Sequence, residues 1–128
     1  MAELVVDASA IVDLLLGNEL GGAVRSRLVG CGLHAPAHLD AEVLSALGRL
    51  HRAGDIRSGD VESRLQVLAA APIRRHAVND LLVDSWARRH RLRLVDALYV
   101  QLAVSLELPL VTTDRRLRDA PAVDVVVA

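Results

Sequence analysis

The sequence predicts a single α/β domain over residues 1–128, with a parallel central sheet and helices on both faces. Three observations point there. Short apolar runs alternate with longer stretches at helical spacing, which is the signature of successive strand–helix–strand crossovers. The hydrophobic fraction is 52%, yet Phe is absent and Trp and Tyr occur once each, so the core must be built from Leu, Val, Ile and Ala. Such a core suits strands buried on both faces. At 128 residues the chain is long enough for one real core and too short for two.

In chain order, Leu4, Val5 and Val6 form a buried strand that ends at Asp7. Ser9 is the expected cap of the helix that runs on through Ala10, Ile11, Leu14 and Leu15. Gly17, Gly21 and Gly22 loosen the connection, and Ala23 to Leu28 adds a further turn or two of helix. Leu33, His34 and Ala35 read as a second strand. From His38 a helix places Leu39, Val43, Leu47 and Leu50 on one side and Glu42, Ser45, Arg49 and Arg52 on the other, ending at Gly54. Ser58 is the expected N-cap of a helix with Val61, Leu65 and Leu68 on its stripe, stopping before Pro72, and Ile73 opens a weak third strand. Val78, Leu82 and Trp86 recur at helical spacing opposite Asp80, Asp84 and Arg88, which predicts an amphipathic helix from Val78 to about His90.

Ala97 to Leu108 has only Gln101, Ser105 and Glu107 as polar members, so a helix here lies inside the domain, with Asp96 at its mouth. Pro109 stops it. Leu110 and Val111 supply a short strand that leaves the sheet at Thr112, Thr113 and Asp114. A helical turn over Arg115 to Arg118 and an edge-type strand over Val123 to Val127 close the chain.

Net charge is −1, and all fifteen basic residues are Arg. Asp7, Glu42, Asp96 and Asp114, once counted as metal ligands, leave a positive remainder concentrated at Arg74, Arg75, Arg88, Arg89, Arg91, Arg93, Arg115, Arg116 and Arg118. Of these, Arg88, Arg89, Arg91, Arg115 and Arg116 are the candidate contacts for a phosphate-bearing ligand or a partner. The scarcity of aromatic residues argues against a stacking platform for single strands. Cys31 stands alone, which excludes an internal disulfide and a Cys-based zinc site and fits a reducing cytoplasm. No apolar run reaches the ~18 residues of a membrane span.

The acids carry the chemistry. In an open α/β sheet, ligands gather outside the carboxyl ends of strands and beside helix N-termini, which is where Asp7, Asp96 and Asp114 fall. Carboxylates so placed repel one another unless a cation lies between them. With no Cys and no evident His partner, the donor set favours a hard cation, Mg²⁺ or Mn²⁺, able to activate water against a phosphodiester. Ser9 and Thr112 are placed to orient ligands or water. Each acid also has a plainer reading: Asp7 and Asp114 as caps, Asp96 as complement to a helix dipole, Glu42 as a solvated carboxylate near Arg49.

The segment VDALYVQLAVSLELPLVTTDRRL resembles the C-terminal half of a PIN domain, and in particular that of VapC-type toxin ribonucleases of type II toxin–antitoxin systems. That family carries an Asp after the first strand, a Glu on an early helix, an Asp-Ala pair opening a helix and a T-x-D at the end of the next strand. The counterparts are Asp7, Glu42, Asp96 with Ala97, and Thr112 with Asp114. The likeness covers nearly the whole chain, with residues 54–75 matching in pattern only. It implies a strand order of 3-2-1-4-5 and a Mg²⁺-dependent endoribonuclease, with Mn²⁺ a substitute. It implies a cation on Asp7 and Asp96, with Glu42 and Asp114 bound directly or through water, and products with 5′-phosphate and 3′-hydroxyl ends. It further implies a homodimer and a cognate VapB-type antitoxin that occupies the acidic cleft and alone brings the complex to promoter DNA. Two other readings compete: a non-catalytic PIN-like binding module, and a receiver-like phosphoacceptor domain, which needs a Lys and an acidic pair that this chain lacks.

Overall fold

Leu4, Val5 and Val6 are no more than 1% exposed, because they belong to the middle strand of the sheet. This strand, β1 (Glu3–Val6), lies between β2 (Gly32–Pro36) and β4 (Leu110–Thr112), with β3 (Ile73–His76) and β5 (Val123–Val125) at the edges. The computed structural model describes residues 1–128. All pairings are parallel, in the order β3-β2-β1-β4-β5, as the family likeness implies. Register brings Val5 opposite both His34 and Leu110, and Val6 opposite Val111. Winding reverses between β1 and β4, so a crevice opens at their carboxyl ends. Phosphoacceptor receivers wind 2-1-3-4-5 instead, which removes that alternative.

Six helices cover the sheet: α1 (Ala8–Leu16), α2 (Glu19–Leu28), α3 (Leu39–Arg52), α4 (Ser58–Ala70), α5 (Leu82–Trp86) and α6 (Leu94–Leu106). They fall into two groups. In one, α1 packs on α2 and α3, and α3 on α4; in the other, α5 packs on α6, which lies against β1, β2 and β4. As its composition requires, α6 is the buried helix, contributing Ala97, Tyr99, Val100, Leu102 and Ala103 to the core.

Several elements differ from expectation for identifiable reasons. The cap of α1 is Asp7, whose Oδ1 accepts from the Ala10 N–H at 3.0 Å, and Ser9 already lies inside the helix. Gly21 and Gly22 are helical, because Asn18 accepts from the Gly21 N–H at 2.7 Å and starts α2 early. A side chain at Gly21 would collide with the Asp13 carbonyl, so the glycine is what lets α1 and α2 approach. Ser58 is the first residue of α4 rather than its cap, with Arg57 extended before it. Helix α6 begins at Leu94, which puts Asp96 within its first turn, and ends through a left-handed Glu107 (φ 56°) ahead of Pro109. The long helix expected from Val78 to His90 is a 3-10 turn (Asn79–Leu81) followed by the five residues of α5. Its inward residues are Leu81 and Ser85, while Leu82 and Trp86 are 54% and 57% exposed. Trp86 lies on the surface with the Arg89 guanidinium 4.7 Å above its ring, which shields part of the indole without burying it.

Candidate active site

Asp7 is set at the crevice by the chain on both sides of it. Its N–H donates to the Val111 carbonyl of β4 at 3.3 Å, and its side chain turns back as the cap of α1. Oδ1 also accepts from Ser9 Oγ at 2.7 Å, and Oδ2 from Thr112 Oγ1 at 2.5 Å. Thr112, wholly buried at the end of β4, accepts in turn from the Asp114 N–H at 3.0 Å. Ser9 accepts from the Thr113 N–H at 3.2 Å, and Thr113 donates to Asp13 at 2.7 Å. The first turn of α1 and the end of β4 are thus laced together beneath one carboxylate. Ser9 and Thr112 both bond to Asp7, the arrangement expected of groups that orient a ligand. Burial pushes the Asp7 carboxyl up to about 6 although three hydrogen bonds pull the other way, with the Asp96 charge adding a smaller push upward.

The other three acids arrive from separate elements. Glu42, one turn into α3, accepts from Tyr99 Oη at 2.7 Å and lies 3.2 Å from His38 Nε2. Burial raises its carboxyl, but the hydrogen bonds from His38 and Tyr99 outweigh that and hold it below its ordinary range. Asp96, in α6, pairs with Arg93 at 3.0 Å. Asp114 caps the 3-10 turn Arg115–Leu117 and accepts from both the backbone and the guanidinium of Arg116, whose hydrogen bond is the main reason its carboxyl is held low.

Asp7, Glu42, Asp96 and Asp114 all line one cavity of about 300 Å³. Arg49, Arg93 and Arg116 line it too, so acid and guanidinium face each other across a small space. In this arrangement no three acidic, His or Cys side chains form a ready cation-binding group, and Arg93 and Arg116 each hold an acid. Chemically the donors fit a hard divalent ion: five carboxylates with Asp13 counted, no thiol, and one of the five, Asp7, buried at a cost that a neighbouring cation would offset.

Several residues of the site went unread in the sequence. Asp13 lines the cavity four residues, one helical turn, after Ser9; that spacing was the available signal. Tyr99 stands one turn beyond Asp96 and reads as plain core, since its ring is buried and only its hydroxyl reaches the cavity. His38 corrects the expectation that no His accompanies the acids, for it bridges Glu42 and the Val95 carbonyl. Glu42 turns to His38 and Tyr99, and Arg49 donates to Ser45 instead. Among the candidate Arg contacts, only Arg116 lines the acid cavity; Arg88 donates to Gln101, Arg89 covers Trp86, and Arg115 points to solvent.

The family model described as PIN domain matches residues 4–123. The chain belongs to the PIN-domain family. Within it, the chain is 52% identical over 119 residues to Ribonuclease VapC3 of Mycobacterium tuberculosis, covering 92% of this chain and 87% of that one. It is 38% identical over 123 residues to Ribonuclease VapC1 of the same organism, covering 94% and 92%. Among solved structures, PAE2754 from Pyrobaculum aerophilum superposes with a TM-score of 0.70 at 26% identity, covering 97% of this chain and 84% of that one. The M. tuberculosis toxin VapC20, described as cleaving the sarcin-ricin loop, shares the fold with a TM-score of 0.73 at 18% identity, over 97% and 99% of the two chains. These relatives place the PIN domain described here among the VapC ribonucleases.

Proposed function

We propose that this PIN domain, taken as residues 1–128, is a toxin-type endoribonuclease that hydrolyses RNA phosphodiester bonds with water as nucleophile and needs a divalent cation. The observation that carries the reading is that Asp7, Glu42, Asp96 and Asp114, from four different parts of the chain, line one cavity at the carboxyl ends of β1 and β4. A hard cation, Mg²⁺ or in its place Mn²⁺, supplies charge neutralisation for the scissile phosphate and makes water acidic enough to attack at neutral pH. Asp7 and Asp96 would hold it, with Glu42 and Asp114 bound directly or through water. Ser9 and Thr112 fix the Asp7 carboxylate in one orientation, and Tyr99 does the same for Glu42. Arg93 and Arg116 pair with Asp96 and Asp114 and line the same cavity, and in our reading they turn to an incoming phosphate.

The names of the relatives support RNA as the substrate class. A solved toxin–antitoxin complex from Klebsiella pneumoniae shares the fold, with a TM-score of 0.62 at 15% identity. In our reading a VapB-type antitoxin covers the acidic cavity and suppresses cleavage, the toxin is a homodimer, and promoter DNA is bound only through the antitoxin. No helix is long and apolar enough to cross a membrane, and we assign the protein to the cytoplasm. The test is cleavage of a defined RNA by purified protein with Mg²⁺ and with chelator, the new ends being mapped. Cleavage only with Mg²⁺, leaving 5′-phosphate ends, and a loss of more than about 100-fold in Asp7→Asn is expected. Cleavage by Asp7→Asn at the parental rate overturns the site, and no cleavage by the parent favours a binding module.

A further inference from the structure

The acid cavity, at about 300 Å³, is at the small end of ligand pockets and cannot hold more than a fragment of a polymer. A strand cut in its interior must therefore leave the cavity on both sides of the scissile bond. One wall of the cavity is Arg116, and Arg116 also lines a second, larger cavity of about 720 Å³. The two basins share that side chain as their common rim.

The second basin differs in chemistry from the first. Arg88, His90, Arg91 and Arg116 line it against a single acid, Asp119, while Leu92, Ala120 and Pro121 supply an apolar floor. Arg88 is fixed in place by Gln101 Oε1, which accepts from its Nε at 3.2 Å and from its Nη2 at 3.1 Å. Gln101 is itself only 8% exposed on the buried helix α6, so this guanidinium is anchored to the core rather than free at the surface. Arg91 carries no ion pair or side-chain hydrogen bond and remains available to a ligand. Guanidinium groups above an apolar floor suit a sugar–phosphate unit: charge for the phosphate, apolar contact for the ribose or base.

We infer that this basin is a subsite for the RNA strand beside the scissile phosphate, with Arg91 and Arg88 as phosphate contacts and Arg116 as the hinge between basin and acid cavity. The inference rests on the nuclease reading above and adds the path of the substrate to it. It selects Arg88, Arg91 and Arg116 from the Arg-rich segments and leaves out Arg89, whose guanidinium lies on Trp86, and Arg115.

The test measures binding without cleavage, using Asp7→Asn protein and a fluorescent ten-nucleotide RNA over a range of salt concentrations. Adding Arg91→Gln should weaken binding about tenfold, the effect of one charge-assisted hydrogen bond, and lower the salt slope by about one. Arg91→Lys should restore part of the affinity, and Arg57→Gln, at the start of α4, should change nothing. Affinity within twofold of the Asp7→Asn parent in Arg91→Gln, with the same salt slope, overturns the subsite. Failure of the nuclease reading looks different: the unmodified protein then binds this RNA through Arg91 but does not cut it with Mg²⁺.

Discussion

Asp7 accepts three hydrogen bonds and still has its carboxyl raised from 3.8 to about 6, because burial outweighs them. In the metal-free protein the folded state therefore keeps a proton that the unfolded chain has already lost. The sign follows from linkage: this contribution to stability is complete below about pH 4 and is lost as pH rises towards 6, by on the order of 3 kcal/mol. Asn at this position cannot titrate. Urea unfolding without metal should show parental protein weakening between pH 4 and 7 and Asp7→Asn lacking that part of the decline; identical slopes would contradict the burial of this acid. Tyr99 donates to Glu42, and in the proposed site it acts through that carboxylate rather than on substrate. Tyr99→Phe keeps the buried ring and removes one of two donors to Glu42, at about 1 kcal/mol of stability. Cleavage should fall about tenfold, with the acid limb of its pH profile moving to higher pH. An unmoved limb would leave Tyr99 a packing residue only.

At the level of elements, the approach of α1 and α2 depends on one missing side chain. Gly21→Ala places a methyl against the Asp13 carbonyl and should cost about 1–3 kcal/mol. Gly22, its neighbour in the same helix, faces open space, and Gly22→Ala should stabilise by up to about 1 kcal/mol. Paired thermal melts decide it, since equal shifts would contradict the close packing. The same glycines mark where the sequence was hardest to read. Buried strands and α6 were legible because continuous apolar runs have one stable destination. Gly21 and Gly22 read as a loop because the tertiary contact that requires Gly21, the Asp13 carbonyl against α2, lies outside any local pattern. Leu82 and Trp86 misled for the opposite reason. Their spacing is helical, but it describes the exposed side of α5, while Leu81 and the polar Ser85 face inward. Asp7, Asp96 and Asp114 were legible because each follows a strand end or opens a helix, whereas Glu42, one turn into α3, joined them only through the family likeness. Their partners were not: His38 and Tyr99 meet Glu42 only once α3 and α6 are packed.

Across the whole molecule, the parallel order β3-β2-β1-β4-β5 does for function what no single segment does. It puts β1 and β4 side by side with the winding reversed, so that Asp7 and the Thr112–Asp114 turn share one crevice although 105 residues separate Asp7 from Thr112. Helices α3 and α6 then supply Glu42 and Asp96 to the same space. A protein of net charge −1 thereby holds an acidic pocket with guanidinium groups at its rim, and Arg93 and Arg116 balance two of the acids. The most direct test is a Mn²⁺ titration followed by electron paramagnetic resonance, comparing parental protein with Asp96→Asn. The account predicts saturable binding in the parent and at least about tenfold weaker binding in the variant; equal affinity in the two proteins would contradict it.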